Sequence, residues 1–380
     1  MTRLVLLGGG HAHLFVLEAV ARGAFAGVEV TLVSPVRRQA YSGMVPGMIA
    51  GRYRADELSF DLEAIARAAG ARYVPLAGRR ILTGAGRIEL VDGSVAAYDV
   101  LSIATGSTVR GTELPGVAQQ ALMVKPIDRA GEIVPALARA LAAAQSPAVA
   151  VVGAGAAGIE IALAVRARLR LMAGGDTGTV TLLEAAPRLF GGRLPQAARS
   201  AQRALARNRV VLRLGAEVSS AGASGVRLAD GTELPARVLV WAAGAAATDL
   251  LRTSGLALDP EGFLLVDDRL RSPSDARIFA AGDAATPALW PETPKAGVYA
   301  VREGPVLCAN LAAACRGAEP PIRYSPQRRF LSLLNTGDGR AIFSYGSFAV
   351  SGRWAMALKD RIDRGFMRRF QRLEAGRSEK

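Results

Sequence analysis

The strongest constraint on the fold is a unit that occurs twice in the chain. Each copy has a short apolar strand, a glycine-rich turn, a helix and a second apolar strand. These occupy 4–7, 8–13, 14–21 and 28–33 in the first copy, and the strands of the second copy are at 148–152 and 180–184. Strands that are apolar throughout are typical of a parallel sheet covered on both faces. We therefore predict an α/β fold built on two Rossmann-like units.

The glycine-rich turns have the residues that a dinucleotide pyrophosphate requires. In the first turn, Gly8 permits the tight bend and Gly10 lets the backbone approach the phosphates, while the N-terminus of the following helix favours negative charge. The second turn has the complete set, Gly153, Gly155 and Gly158. One such turn is a weak signal, but two in strand–turn–helix context are a strong one. They predict two dinucleotide-binding domains.

The third glycine position of the first turn is His13, which departs from the usual pattern. A glycine there permits close packing of the helix on the strand, so His13 must point away from the sheet or widen the gap. Together with His11, it is a candidate for direct contact with the cofactor. The alternative is that both histidines are turn residues whose polar groups are satisfied by the backbone.

The residue that ends the second strand of each unit indicates how the ribose is bound. In the second unit this residue is Glu184, whose carboxylate accepts hydrogen bonds from ribose hydroxyls and repels a 2′-phosphate. This favours NADH over NADPH, although Arg188 nearby is able to accommodate the phosphate. In the first unit the residue is Ser34, a weaker acceptor than a carboxylate.

Each unit continues with a hairpin and a closing strand that ends in small residues. Asp-Gly pairs at 92–93 and 230–231 predict the hairpins, and the closing strands are expected at 98–103 and 236–241. A further strand ends in a Gly-Asp pair, where glycine lets the backbone approach a polyol chain and the aspartate accepts its hydroxyls. The motifs at the strand ends are Ala104-Thr105-Gly106, Ala243-Gly244 and Gly282-Asp283.

Composition and cysteine content exclude several classes of protein. The chain has 47 basic and 33 acidic residues, for a net charge of +14. Such a charge is typical of proteins that bind nucleic acid or anionic membranes, but we find no nucleic-acid recognition module and expect no nucleic-acid partner. Cys308 and Cys315 are the only cysteines. Without a Cys-x-x-Cys pair, we expect no redox dithiol, no thiolate-held cluster and no metal site.

The order of these motifs resembles that of the FAD/NAD pyridine nucleotide-disulfide oxidoreductase superfamily, over residues 1–315. The resemblance implies an FAD-binding domain at 1–122 and 246–318, an inserted NAD(P)H-binding domain at 123–245, and a C-terminal segment at 319–380 with an amphipathic helix. It also implies that Asp283 holds the ribityl chain of FAD.

The branch of the superfamily is indicated by the absence of thiols. The disulfide reductases need an early cysteine pair, whereas 40–47 has no cysteine, and 41–51 and 294–304 resemble the type II NADH dehydrogenases. A closer resemblance is to the dehydrogenase-like module that occurs fused to selenide, water dikinase. The segments that carry this closer resemblance are Gly-Gly-Gly-His-Ala-His at 8–13, Tyr-Ser-Gly-Met at 41–44, Val-Lys-Pro-Ile-Asp-Arg at 124–129 and Lys-Asp-Arg-Ile-Asp-Arg at 359–364.

The resemblance implies an FAD-dependent NADH dehydrogenase with a quinone or another small molecule as electron acceptor. Glu160 matches a glutamate that lies near the nicotinamide in type II dehydrogenases, and the alternative for it is a helix-surface carboxylate. Lys295 is a candidate to stabilise anionic reduced flavin, and the alternative is a solvated lysine at a helix N-terminus. Two other functions stay open: a reductase of a soluble protein or small molecule, and a non-catalytic flavin- and NAD-binding regulatory module.

The residues expected to contact FAD or NAD(H) come from all of these motifs, together with Tyr41, Lys125 and the start of the helix after Pro294. They are Gly8, Gly10, His11, His13, Ser34, Tyr41, Ala104, Thr105, Gly106, Lys125, Gly153, Gly155, Gly158, Glu184, Gly244, Gly282, Asp283, Lys295 and Ala296.

The C-terminal segment has apolar residues at spacing four, Trp354, Leu358, Ile362, Phe366 and Phe370, among many arginines. A basic amphipathic helix with aromatic residues is typical of an interfacial membrane anchor, so residues 353–373 are candidates for peripheral membrane contact. The alternative is that this stripe packs on the flavin domain or on a second copy in a homodimer. The N-terminus does not fit a signal peptide and no apolar run fits a membrane span. We therefore expect a cytoplasmic protein, peripheral on the inner face of the cell membrane if the anchor holds.

Overall fold

The computed structural model describes residues 1–144 and 146–376. Its first part contains most of the first predicted unit. The strands there are β1 (Thr2–Leu7), β2 (Val28–Val33), β3 (Arg38–Ala40), β4 (Ser59–Asp61), β5 (Arg72–Val74), β6 (Gly78–Leu82), β7 (Arg87–Leu90), β8 (Val95–Ala97), β9 (Val100–Ile103) and β10 (Thr108–Val109). The helices are α1 (His11–Ala21), α2 (Val45–Ala50) and α3 (Leu62–Ala68).

The middle part of the chain contains the second predicted unit. Its helices are α4 (Val117–Gln120), α5 (Ile133–Ala143), α6 (Ala156–Ala173) and α7 (Pro195–Arg207). Its strands are β11 (Ala121–Met123), β12 (Ala148–Val152), β13 (Thr179–Glu184), β14 (Val210–Leu214), β15 (Val218–Gly222), β16 (Gly225–Leu228), β17 (Glu233–Pro235), β18 (Val238–Trp241) and β19 (Ala245–Ala246).

The last part of the chain returns to the first unit and then forms the C-terminal segment. Its helices are α8 (Asp249–Arg252), α9 (Gly297–Cys315) and α10 (Arg353–Glu374). Its strands are β20 (Leu264–Val266), β21 (Ile278–Ala280), β22 (Ala285–Pro287), β23 (Leu331–Asn335), β24 (Ala341–Tyr345) and β25 (Phe348–Gly352). The final residues of the predicted C-terminal segment, 377–380, lie outside the described residues.

Two parallel five-stranded sheets, found within the described residues, confirm the predicted α/β fold. The first has the order β21-β9-β1-β2-β5 and the second the order β11-β18-β12-β13-β14. All the strand pairs in them are parallel. The second sheet uses only strands that lie between 121 and 241, whereas the first sheet takes β21 from beyond that stretch. The domain boundaries at 122, 245 and 318 stay predictions.

The apolar strands of the first sheet are buried, as their composition predicts. Leu4, Leu6 and Leu7 each expose at most 2% of their surface, and full burial of a leucine contributes about 1.5–3 kcal/mol. Helices α1 and α9 pack against each other. Gly304 permits this contact, since a Cβ there would lie 2.3 Å from the ring of Phe15.

The predicted hairpins are present as the antiparallel sheets β6-β7-β8 and β15-β16-β17. The closing strand expected at 98–103 begins later, at Val100. The reason is local: the Tyr98 N–H donates to the carbonyl of Gly86, and the Asp99 carboxylate pairs with Arg3. These contacts turn the chain from the hairpin into the first sheet. The strand expected at 236–241 likewise begins at Val238.

In the C-terminal segment, the buried face of the helix differs from the predicted apolar stripe, and we correct that prediction. Helix α10 lies against α3, β4 and the antiparallel sheet β23-β24-β25, which our sequence analysis did not predict. Phe370 is fully buried, but Trp354 and Ile362 are 52% and 45% exposed. A row at spacing four drifts around a helix that has 3.6 residues per turn, so its two ends face different surroundings. The buried face of α10 is Ala355, Met356, Lys359, Asp363, Met367, Phe370 and Leu373.

No helix among the described residues is long and apolar enough to cross a lipid bilayer. Both cysteines lie on α9 as free thiols, Cys315 buried and Cys308 partly buried. Burial raises the pKa of each thiol to about 11. Both cysteines are therefore protonated at neutral pH and pack as small apolar side chains.

Candidate functional site

A cleft of about 1330 Å³ lies where the carboxyl ends of strands from both parallel sheets meet. Its wall is formed by the residues directly after β1, β9, β12, β18 and β21 and by the start of α9. Ligands of open α/β sheets bind at this end of the strands. The predicted site residues on the wall are Gly8, Gly10, His11, Ser34, Ala104, Thr105, Gly106, Lys125, Gly153, Gly155, Glu160, Glu184, Gly244, Gly282, Asp283, Lys295 and Ala296. His13, Tyr41 and Gly158 are not among the residues of this wall.

The turn after β1 approaches the end of β9 so closely that it has no room for side chains. Gly8 has φ +96°, and a Cβ there would lie 2.6 Å from the carbonyl oxygen of Ala104. A Cβ on Gly10 would lie 2.5 Å from the same oxygen, to which the Gly10 N–H donates at 3.1 Å. The turn is therefore held against β9, and its backbone forms part of the cleft wall.

Gly158 serves packing rather than the cleft. It lies within α6, where a Cβ would be 1.7 Å from the carbonyl oxygen of Gly153. Its lack of a side chain lets the helix lie directly on its own turn. We correct its assignment from cofactor contact to packing of the helix on the turn.

His13 also lies behind the turn, which corrects its assignment as a cofactor contact. Its side chain is 1% exposed, with Nδ1 2.7 Å from the Gly8 carbonyl and Nε2 2.8 Å from the Ser102 Oγ. Both ring nitrogens are thus engaged, and burial lowers the pKa of His13 to about 4. The neutral ring connects the glycine turn to β9 in the space where a third glycine would permit close packing.

Two polar atoms on the wall are buried without a hydrogen-bond partner among the described residues. They are Nε2 of His11 and Oγ1 of Thr105. Burial lowers the pKa of His11 to about 4, so its ring is neutral at pH 7. Unpaired buried polar groups are rare because they are costly. Together with the wall of backbone and small residues, these two atoms fit a ligand rich in phosphate and hydroxyl groups, such as FAD.

Asp283 lies in the turn after β21 and already has two partners. Its Oδ2 accepts hydrogen bonds from Lys125 Nζ at 2.5 Å and from Ser107 Oγ at 3.0 Å. Lys125 follows β11 of the second sheet, so this ion pair joins the two sheets across the cleft. Ser107 is not among the residues predicted from the sequence, although it follows the Ala-Thr-Gly motif directly.

Glu184 and Ser34 occupy the corresponding strand ends of the two units. The Glu184 carboxylate accepts the N–H groups of Ala154, at 2.7 Å, and Ala186, at 3.0 Å. It therefore stabilises the second glycine turn as well as facing the cleft. The Ser34 hydroxyl donates to the Val36 carbonyl at 3.2 Å and is nearly buried.

Glu160 is a partly buried carboxyl on the wall rather than a fully exposed carboxylate on the helix surface. Its Oε1 accepts the N–H of Asn335, on β23, at 2.6 Å. Burial raises the pKa of Glu160 to about 7, and the nearby Lys359 ammonium opposes that rise. This carboxyl therefore exchanges its proton near neutral pH, a property expected of an acid–base group.

A buried ionic cluster on α10 lies next to Glu160. Lys359 Nζ is 3.0 Å from Asp363 Oδ2 and donates to the Gly43 carbonyl at 2.9 Å, and both charged side chains are less than a tenth exposed. The Tyr41 hydroxyl donates to Asp363 Oδ1 at 3.3 Å, and burial raises the pKa of Tyr41.

Tyr41 therefore belongs to this cluster, next to the wall residue His11, and its assignment as a cofactor contact stays a prediction. Its ring stacks on Phe366, with centroids 4.6 Å apart, and meets the edge of His11. The segment at 359–364 is one of those that carry the family resemblance, but Lys359 and Asp363 are not among the predicted site residues. Their spacing of four, which brings two side chains onto one helix face, is the signal that could have found them.

Lys295 lies on the wall with its ammonium held by the protein. Nζ donates to the Ala285 carbonyl at 2.5 Å and to Thr286 Oγ1 at 2.7 Å, and it lies 4.0 Å from the centre of the Phe263 ring. Burial lowers the pKa of Lys295 to about 8. It is thus a partly buried, anchored cation, unlike the solvated lysine that we considered as the alternative.

Comparison with known proteins gives three related findings. A family model described as pyridine nucleotide-disulphide oxidoreductase matches residues 2–304. The NADH dehydrogenase-like protein Rv1812c of Mycobacterium tuberculosis is 33% identical over 300 residues, which cover 75% of this chain and 73% of that protein. The solved structures that share the fold include two that cover nearly the whole chain.

The first of these structures is the sulfide:quinone oxidoreductase of Aquifex aeolicus, with a TM-score of 0.81 and 18% identity over 100% of this chain and 92% of that one. The second is NDH2 of Plasmodium falciparum in complex with NADH, with a TM-score of 0.73 and 15% identity over 98% of both chains. At these identities the likeness shows a shared fold.

Proposed function

Because the chain belongs to the pyridine nucleotide-disulphide oxidoreductase family, in its NADH dehydrogenase-like branch, we propose that this NADH-dependent flavin oxidoreductase delivers its electrons to a quinone. The observation that carries the proposal is that both glycine-rich turns open onto one cleft, with the partly buried carboxyl of Glu160 on its wall. A dinucleotide on each turn would bring two redox partners together in one cleft, and hydride transfer requires such proximity.

We assign FAD to the side of the cleft that the first sheet forms. Gly8 and Gly10 would hold the pyrophosphate, Ser34 a ribose hydroxyl and Asp283 the ribityl chain, and the unpaired atoms of His11 and Thr105 supply two more polar contacts. When bound, FAD supplies the redox chemistry, and the protein binds and orients it.

We assign NADH to the turn after β12. Gly153 and Gly155 would approach its pyrophosphate, and Glu184 would accept a ribose hydroxyl. A 2′-phosphate would meet the Glu184 carboxylate, which supports NADH over NADPH. Ala156, Ala157 and Glu160 continue the wall from this turn into the cleft along the first turns of α6.

We assign proton transfer to Glu160. Quinone reduction consumes protons as well as electrons, and Glu160 is a carboxyl on the wall whose pKa lies near 7. Lys359, held by Asp363 and the Gly43 carbonyl, stabilises the ionised form of Glu160 between transfers. Lys295 supplies a fixed positive charge on the same wall, which favours negative charge that develops on a bound cofactor.

We propose a lipid surface as the source of the quinone. An aromatic patch, formed by Phe343, Phe348 and Trp354, joins β24, β25 and the start of α10, and its rings contact one another at centroid distances of 6.2 and 5.3 Å. Phe348 is 56% exposed and Trp354 52% exposed, and exposed Arg353 lies beside them. Exposed aromatic side chains next to a basic residue favour peripheral membrane binding. The protein would then lie on the cytoplasmic face of the cell membrane.

Anaerobic titration with NADH tests the hydride transfer. We expect the visible band of the protein-bound flavin to bleach with one equivalent of NADH, and to return when a soluble quinone is added. A flavin that stays oxidised at millimolar NADH would refute the proposal. A protein that binds no flavin at all would instead favour a non-catalytic scaffold.

Turnover with different acceptors tests the quinone. We expect steady-state NADH oxidation with a short-chain quinone to exceed that with ferredoxin at equal concentration. E160Q is the informative variant: its flavin should still bleach with NADH, while turnover with quinone falls by at least about tenfold. Faster turnover with ferredoxin than with quinone would identify a protein reductase instead.

A further inference from the structure

Glu303 is a buried carboxyl that plays no part in the chemistry proposed above. It lies on α9, is 2% exposed, and faces the back of the turn that carries Asp283. Its Oε2 accepts the backbone N–H of Gly282 at 2.5 Å. A carboxylate of this kind needs strong partners to be buried, and this one is joined directly to the expected ribityl site.

The turn that Glu303 contacts is short and needs external support. It is a single 3-10 turn at Gly282–Ala284 between β21 and β22, and Gly282 has φ +69°. Helix α9 packs on it so closely that a Cβ on Gly282 would lie 3.2 Å from Ala300. The Gly282 N–H points to the α9 side of the turn, where it donates to the Glu303 carboxylate.

The charged and titratable groups around Glu303 come from three segments. Lys295 precedes α9, Asp283 lies in the turn, and the Tyr324 phenol faces the carboxyl from the loop before β23. Burial raises the pKa of Glu303 to about 7, while the Gly282 N–H and Lys295 oppose the rise. The strength of the hydrogen bond to Gly282 thus depends on pH near neutrality, since an ionised acceptor binds an N–H more strongly.

We propose that Glu303 is a positioning residue for flavin binding. Its carboxylate holds the Gly282 N–H, fixes the turn and so sets the direction in which Asp283 presents its oxygens to the ribityl hydroxyls. This proposal rests on the proposed function only in taking FAD as the ligand of the cleft. It adds a residue outside the cleft wall to those that determine how tightly FAD is held.

Two substitutions separate the hydrogen bond from mere packing. Glu303→Gln keeps an acceptor for the Gly282 N–H and removes the charge, whereas Glu303→Leu keeps the bulk and removes the acceptor. We expect the dissociation constant of FAD from the flavin-free protein to rise at least about tenfold in E303L and by no more than about fivefold in E303Q. E113Q, which changes an exposed carboxyl, is the matched control and should bind FAD as the wild type does.

The pH profile of FAD binding is a second readout that a packing role would not move. As the pH falls from 8 to 6, wild-type Glu303 gains a proton and becomes a weaker acceptor, so the affinity for FAD should fall about three- to fivefold. That fall should be absent in E303Q. If E303L does not fold, the comparison between wild type and E303Q still tests the proposal. Identical pH profiles of FAD binding in these two proteins would overturn it.

Hydrogen exchange at the Gly282 amide tests the same contact without any flavin. We expect slow exchange in the wild type and in E303Q, and exchange at least about tenfold faster in E303L. Equal exchange in folded E303L and wild type would also overturn the proposal. If the wild type binds no FAD, the proposed function fails, but this measurement still shows whether Glu303 holds the turn.

Discussion

Replacement of Lys359 by methionine is the sharpest test of the buried cluster beside the cleft. In the wild type, the ammonium lies 3.0 Å from Asp363 and 2.9 Å from the Gly43 carbonyl, and it also faces Glu160. Methionine fills much of the same volume but leaves the buried Asp363 carboxyl and the partly buried Glu160 carboxyl without a cation. Removal of one partner of a buried ion pair costs about 3–5 kcal/mol, a large part of the 5–15 kcal/mol that typically stabilises a folded protein.

The pH dependence of this loss follows from the two pKa shifts. Lys359 has a pKa raised above its ordinary 10.5, so its stabilising contribution is complete at pH 8 and is lost as the pH rises from about 10.5 through that raised pKa. Glu160 is ionised above about pH 7, so the loss in K359M should be greatest at pH 8. It should shrink as the pH falls below 7, because a protonated Glu160 no longer needs a cation.

Urea and thermal denaturation followed by circular dichroism measure the effect. We expect K359M to unfold about 3–5 kcal/mol more easily at pH 8, and K359M/D363N to recover at least half of that loss, because it removes both charges and keeps an acceptor for Tyr41. The control is R227M, which breaks an exposed ion pair with Glu233 and should cost less than about 1 kcal/mol. A K359M protein as stable as R227M at pH 8 would refute the reasoning.

Three further predictions follow from the other contacts of the site. E160Q should be more stable than wild type at pH 8, by up to about 3 kcal/mol, because the pKa of Glu160 is raised from 4.5 to about 7. This gain in stability should vanish below pH 4.5. A difference in denaturation midpoint that does not change with pH would contradict the prediction. H13A should lose about 1–3 kcal/mol of stability through its contacts with Gly8 and Ser102, whereas H11A should instead weaken FAD binding about fivefold. If calorimetry showed the loss of stability in H11A, and flavin titration showed the weaker FAD binding in H13A, His13 would again be assigned to the cofactor site. F348E/W354E should no longer sediment with anionic vesicles. The control V211E, at an exposed apolar position on β14, should still do so. Equal vesicle binding by both variants would show that the aromatic patch is not the membrane contact.

The test of membrane binding shows how tertiary structure changes an experiment. From the sequence, deletion of 353–380 would be the natural way to remove a membrane anchor. In the structure, α10 buries Met367 and Phe370 and supplies Lys359 to the cluster beside Glu160. Deletion would therefore expose the core and leave charges unpaired, and a loss of vesicle binding would not be informative. Point substitutions in the exposed aromatic patch avoid this problem.

Much of the cleft could be predicted because its motifs are local. A glycine at position 8 or 153 reports a backbone conformation that other residues rarely adopt, with φ near +95° in both turns. The strand ends at Ala104, Gly244 and Asp283 follow from short apolar runs, and parallel strands bring their carboxyl ends to one edge. The order of these motifs was sufficient to place most of the expected residues on one wall.

The sequence by itself determined the two α/β units, the family and the glycine turns, since each rests on residues that are close together in the chain. Only the tertiary structure decided which side chains share a charge or a hydrogen bond. Glu160 meets Asn335 and Lys359, and Glu303 meets the Gly282 amide, because helices and loops from distant segments pack together. The direction of a helix face changes by 100° per residue. Whether Lys359 or Ile362 faces the core therefore depended on how α10 lies on its neighbours, and a residue pattern alone does not contain that packing angle.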